Sequence, residues 1–237
     1  VWAIAVLAVV SAVGVSMVVP RRHGAAAPAP LRHELRTFTS SRVWVALGTI
    51  AVFQAAVFSV FTYVAPLLTD YAGWPESRVP VVLALFGLGS LVGIVLGGKV
   101  ADRNLFLNLY AGLATLSLVL AALALVARSG MAATVAIVAM AVTAFSVAPA
   151  INARVFVVAG DAPTLASSAT TSAFNVGNTV GPWMGGTVIG AGLGYAAPAW
   201  LGAGLALLAL GMAVMAGTRE KRARSTAEMI VPCATLT

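Results

Sequence analysis

The chain has 237 residues, of which 60% are hydrophobic and only 9% charged, with a mean hydropathy of +0.99. A water-soluble domain clothes its surface with about a quarter charged residues, so water is excluded as the main solvent and lipid takes its place. The formal charge of +7 does not mark a nucleic-acid binder, because the Lys and Arg lie between hydrophobic runs rather than on one folded face.

Taken in order, segments 1–20, 43–69, 79–98, 104–127, 129–153 and 162–218 contain no charged residue. The first begins at Val1 inside a hydrophobic run, with no methionine or basic leader, as expected of a chain cut from a larger protein rather than a signal peptide. The last is too long for one helix, and the closely spaced Gly and Pro of residues 190–198 divide it with a tight turn. Seven spans of about 20 residues result, and backbone in lipid must satisfy its own hydrogen bonds, so the expected class is an all-α polytopic transmembrane helical bundle.

Arg and Lys in alternate loops set the orientation. One side holds Arg21, Arg22, Arg32, Arg36 and Arg42, then Lys99 and Arg103, then Arg154, then Arg219, Lys221, Arg222 and Arg224. The other holds Arg78 and Arg128 alone. This bias predicts that the first long loop and the carboxy-terminus are cytoplasmic. That loop opens as a Pro/Ala-rich linker over residues 20–30. Leu31, Leu35 and Phe38, with Arg32 and Arg36 between them, then fit either a short helix on the inner membrane surface or a solvated linker.

Covalent chemistry finds no equipment. Both histidines, His23 and His33, lie in the linker. The acidic residues Glu34, Asp70, Glu76, Asp102, Asp161, Glu220 and Glu228 lie in loops or at span ends. The lone Cys233 sits in the tail, so disulfides and thiolate metal sites are not expected. The chain reads as no enzyme, with no cofactor and no metal.

The spans carry instead a small polar inventory at helical spacing. Gln54, Phe58 and Phe61 share one face of the second span. Thr171, Asn175, Asn178 and Pro182 share one face of the sixth. Amides in hydrocarbon must face protein or a wet cavity. They therefore either line a substrate pathway, with rings for apolar contact and amides for orientation, or hold helices together. Gly89, Gly93 and Gly97 form a bare strip on the third span that admits close packing, static or sliding. After it, Gly98 offers a sharp exit, Asp102 a cap for the next helix and Arg103 a partner for a carboxylate. In the sixth span Gly177, Gly181, Pro182, Gly185 and Gly186 permit bending and close approach.

Gly98-Lys-Val-Ala-Asp102-Arg103 resembles the loop motif of the major facilitator superfamily. Gly177-x₃-Gly181-Pro182-x₂-Gly185-Gly186 is similar to the glycine–proline motif of its twelve-helix drug/proton antiporters. Arg154 and Gly160 echo an arginine motif of the same family. Leu31-Arg-His-Glu-Leu35, Phe61-Thr-Tyr-Val-Ala-Pro66 and Ala173-Phe-Asn175-Val-Gly177 resemble the second half of chloramphenicol-efflux members.

The resemblance implies a last amino-terminal-half helix over 1–19, a central cytoplasmic linker over 20–42, a six-helix carboxy-terminal half over 43–217 and a cytoplasmic tail over 218–237. It further implies a bacterial cytoplasmic membrane, amphiphilic drugs and protons as cargo, and a missing amino-terminal half as partner. Gln54, Phe58, Phe61, Asn175 and Asn178 would meet substrate. Asp102 and Arg103 would latch one end of the bundle, with Gly98, Gly177, Gly181, Pro182 and Gly185 serving conformational change by alternating access. Two other readings are a non-transporting membrane fragment that packs on another protein, and an uptake carrier for small metabolites.

Overall fold

The computed structural model describes residues 2–18, 40–159 and 163–230. The surface-helix reading of Leu31, Leu35 and Phe38, together with Gly160, Asp161 and Cys233, falls outside them.

Among the described residues seven long helices follow one another: α1 (Trp2–Val18), α2 (Ser41–Phe61), α3 (Val79–Arg103), α4 (Leu105–Val126), α5 (Gly130–Ala159), α6 (Pro163–Val188) and α7 (Ala197–Ile230). Among the described residues there is no strand. Helices α2 to α5 and α7 each contain a stretch long and apolar enough to cross a membrane. Helix α1 has only 17 described residues. Helix α6 is long enough, but its Ser, Thr, Asn and Gly content makes it the least apolar of α2 to α6.

Local chemistry sets the boundaries. Ser40 caps α2 in an extended conformation, its hydroxyl accepting from the Arg42 amide. After α2 the chain unwinds through short helical turns to Gly73 at φ 71°, where a side chain would be strained. Pro80 stands in the first turn of α3, where its missing N–H costs nothing. The turn before α7 uses Gly192 and Gly194 at φ 83° and 80°.

Two sequence expectations at helix ends are corrected. Gly98 is no exit, since α3 runs through it to Arg103. Asp102 therefore sits inside the last turn of α3 and does not cap α4. The cap is Asn104, whose extended backbone (φ −155°, ψ 96°) turns the chain and whose Oδ1 accepts from the Leu107 amide at 3.0 Å. Likewise, helix α5 does not stop at the first charge. It continues to Ala159 and carries Arg154 into the protein, only 5% exposed.

Packing is organised by small residues. Helix α3 lies on α5, α6 on α2, and α7 on α2 and α4. Gly89, Gly93 and Gly97 face α5 so closely that a methyl group at Gly93 or Gly97 would run into the carbonyls of Val142 and Ser146. Gly177, Gly181 and Gly185 form the matching ladder on α6. Added Cβ atoms there would stand 2.5–2.6 Å from the carbonyl oxygens of Ala51, Ala55 and Ser59 on α2. In lipid, where no hydrophobic force drives helices together, such backbone proximity is the main source of association. On α4, Leu109, Leu113, Leu116, Leu120 and Leu123 are fully buried, and α7 offers Ala199, Ala203, Ala206, Ala209 and Ala213. Both sets recur every three or four residues, the period of one helix face.

Most of α3 outside its glycine strip is apolar and exposed, including Leu88, Leu91, Val92, Ile94 and Val95. In water this would be a severe liability. In a bilayer an apolar helix face carries no such liability.

Candidate functional site

The glycine ladders bring α2 to α6 and α3 to α5, and between these two pairs lies a cavity of about 300 Å³. Helix α2 contributes Phe53, Gln54, Val57, Phe58 and Phe61, α3 contributes Phe86, α5 contributes Ala144, Phe145 and Ala148, and α6 contributes Phe174. The rings form an arc across three helices. Phe58 and Phe61 stand 5.6 Å apart between centroids, Phe61 and Phe86 4.8 Å, and Phe86 and Phe145 6.2 Å. The last pair meets edge to face at 83°, an arrangement favoured by the ring quadrupoles.

Among the described lining residues, Gln54 alone is polar. Its Nε2 donates to Asn178 Oδ1 at 2.9 Å. The contact depends on the α6 ladder: Gly177, one residue away, lets α6 approach until an added Cβ would touch Ala51 and Gln54. The pair keeps further amide capacity, since each amide offers two donors and two lone pairs and this bond uses one of each kind. An apolar chamber with one oriented polar group is the usual build of a small-molecule site.

The sequence-derived candidates separate here. Gln54, Phe58 and Phe61 line the cavity, and Asn178 reaches it through Gln54. Asn175 is exposed on α6 and is not among the lining residues. Gly177, Gly181 and Gly185 are buried against α2, while the Pro182 carbonyl accepts from the Tyr63 hydroxyl at 2.9 Å. Gly98 has nothing within 4 Å of an added Cβ. Asp102 and Arg103 are exposed at the end of α3. The hydroxyls of Thr171, Ser172, Thr179 and Thr187 bond back to carbonyls of their own helix, so α6 satisfies much of its polarity internally.

Three residues escaped sequence reasoning, and a fourth, Arg154, is buried rather than in the loop where the charge alternation puts it. Phe86 and Phe145 complete the aromatic arc, but an apolar ring in an apolar span has no contrast with its neighbours. Asn108 is buried, and its Nδ2 donates to Gly97 O at 3.0 Å and Ser146 O at 2.9 Å, tying α4 to both helices of the α3–α5 pair. Its signal was an amide inside an otherwise apolar run. Arg154 lies with its guanidinium 5.3 Å from the Phe106 ring centroid, a cation–π distance.

At the other end of the bundle, three loops are joined. Arg128 Nε donates to the Tyr71 hydroxyl at 3.2 Å, and Tyr195 donates to Asp70 Oδ2 at 3.3 Å. The Tyr71 hydrogen bond pushes the Arg128 guanidinium above its already high ordinary pKa, so it stays cationic. Arg78 lies over the Trp74 ring at 4.8 Å.

Helices of membrane-spanning character, tied by glycine ladders around an apolar chamber, define the class: an all-α polytopic membrane protein. The family model described as Major Facilitator Superfamily matches residues 1–171. The chain is 35% identical over 214 residues to the Inner membrane transport protein YdhP of Escherichia coli (strain K12), covering 90% of this chain and 55% of that protein. It is 34% identical over 212 residues to a Chloramphenicol resistance protein of Streptomyces lividans, covering 88% and 54%. An Uncharacterized MFS-type transporter, YtbD of Bacillus subtilis (strain 168), is 30% identical over 204 residues, covering 83% and 50%. The chain thus belongs to the Major Facilitator Superfamily, a family of transporters rather than enzymes. It spans about half the length of these relatives.

Proposed function

We propose that the chain is the carboxy-terminal half of a proton-coupled exporter of small amphiphilic drugs. The observation that carries this reading is the Phe-lined cavity with the Gln54–Asn178 amide pair as its polar contact. Such a wall takes a flat, uncharged, partly aromatic molecule bearing one hydrogen-bonding group. The likeness to a Chloramphenicol resistance protein supports that substrate class.

The amino-terminal half supplies the opposite wall and the proton-carrying acid, because no acidic residue of this sequence falls within its uncharged hydrophobic segments. Alternating access then rocks the two halves about the cavity. Asp102 and Arg103, exposed at the end of α3, latch the cytoplasmic ends, with the carboxy-terminus on the same side.

The test is reconstitution. Residues 1–237 expressed alone should confer no chloramphenicol resistance. Co-expression with the amino-terminal half from the same coding region should confer it, with uptake of labelled drug into inverted vesicles abolished by a protonophore. Resistance from the single chain would contradict the assignment of coupling to the other half. No transport from the joined halves would favour a non-transporting packing partner.

A further inference from the structure

A second cavity, of about 210 Å³, opens where α2 begins and the apolar part of α7 ends. Its described lining is Ser41, Arg42, Val45, Met215, Ala216 and Arg219. Two arginines 177 positions apart in sequence, one on α2 and one on α7, thus line one hollow, and no carboxylate is among the described lining residues. Arginine presents a planar fork of donors that matches phosphate oxygens, and it stays charged at any physiological pH.

The position of the hollow selects the source of that phosphate. Arg42 is the last charge before the uncharged segment 43–69, and Arg219 is the first after the uncharged segment 162–218. Both therefore stand where the hydrocarbon ends and headgroups begin. Trp44 is 62% exposed two residues from Arg42, at the level where indole rings settle in a bilayer. Val45, Met215 and Ala216 provide an apolar flank beside the cations. Free phosphate has no use for such a flank, whereas a glycerophospholipid places its glycerol and first acyl carbons there.

We infer that the Arg42–Arg219 cavity binds the headgroup phosphate of an anionic phospholipid and seats one such lipid at the basic end of the bundle. Basic pockets between transmembrane helices bind phosphate-bearing headgroups by this chemistry.

The test uses the full chain purified in neutral detergent and titrated with mixed micelles of phosphatidylglycerol or phosphatidylcholine, with retained lipid counted by native mass spectrometry. One phosphatidylglycerol should be held per chain, with a preference over phosphatidylcholine on the order of tenfold. Arg42→Gln combined with Arg219→Gln should reduce that preference to within about twofold. The double Lys substitution, which keeps both charges, should hold most of it. Lys99→Gln, on the same side but outside the cavity, should leave it unchanged. Equal retention of the two lipids by the wild-type chain overturns the inference, and this arm needs no variant to fold. So does an equal loss with Lys99→Gln, which would show diffuse attraction. Displacement of the lipid by millimolar inorganic phosphate would assign the site to the free anion instead.

Discussion

Gln54 and Asn178, 124 residues apart, share a 2.9 Å side-chain hydrogen bond at the wall of an otherwise apolar cavity. Interhelical bonds of this kind in membranes are worth ~0.6 kcal/mol on average, so the pair adds little to the fold. Its expected role is recognition. Gln54→Leu and Asn178→Leu should each leave expression near wild type while shifting the drug-resistance profile of the complete transporter. A double-mutant cycle on unfolding should return a coupling below about 2 kcal/mol. Loss of folded protein with either single change, with all substrates affected alike, would assign the pair to packing. Asn175→Ala, at an exposed position outside this cavity, should shift the profile less than Asn178→Ala.

The aromatic arc predicts a graded effect. Each favourable ring pair contributes ~0.5–1.5 kcal/mol beyond area burial. Phe86→Ala or Phe145→Ala should therefore weaken binding of an aromatic drug roughly 2- to 10-fold. Phe145→Leu, which keeps apolar volume, should recover part of that loss for aliphatic compounds but not for aromatic ones. Ligand-induced tryptophan quenching across a panel of both kinds would measure it.

Neighbouring glycines of α3 should behave in opposite ways. Gly97→Ala drives a methyl group into the Ser146 carbonyl on α5, and overpacking of this kind costs ~1–3 kcal/mol. Gly98→Ala meets nothing within 4 Å and replaces a weak helix former by the best one. Thermal unfolding in detergent should show Gly97→Ala clearly destabilised and Gly98→Ala equal to or above wild type. A reversed order would contradict the helix orientation.

Asp102 sits in the last turn of α3, where the negative end of the helix dipole repels a carboxylate. Its charge therefore does not serve α3, and Asn104 already caps α4. Asp102→Asn should leave stability unchanged or slightly raised, yet lower efflux if the carboxylate latches the bundle. Asn104→Ala should do the reverse, costing ~1 kcal/mol of stability with transport per folded molecule intact. Efflux assays normalised to folded protein separate the two.

Much of this architecture is legible in the sequence. Segments free of charge marked the helices, because an unpaired charge in hydrocarbon is expensive enough to leave a clear gap in the pattern. The four-residue spacing of Gly89, Gly93 and Gly97 announced a close approach without naming the partner helix. Gln54, Phe58 and Phe61 were legible as one face because they lie within two turns of one helix. Phe86 and Phe145 were not, since only the tertiary arrangement brings them to that face. Ending a span at the first charge failed for Arg154, because an aromatic ring and a protein interior hold a guanidinium that lipid would reject. It failed for Asp102 in the simpler sense that a helix outlasts the hydrocarbon and continues into the headgroups.

The two ladders divide labour between backbone and side chain. Positions such as Gly97 and Gly181 admit no larger residue, so the frame has almost no freedom to drift. Phe58, Phe86 and Phe145 instead line the chamber. The wall of the chamber can therefore vary one ring at a time while the glycine-packed frame behind it stays the same.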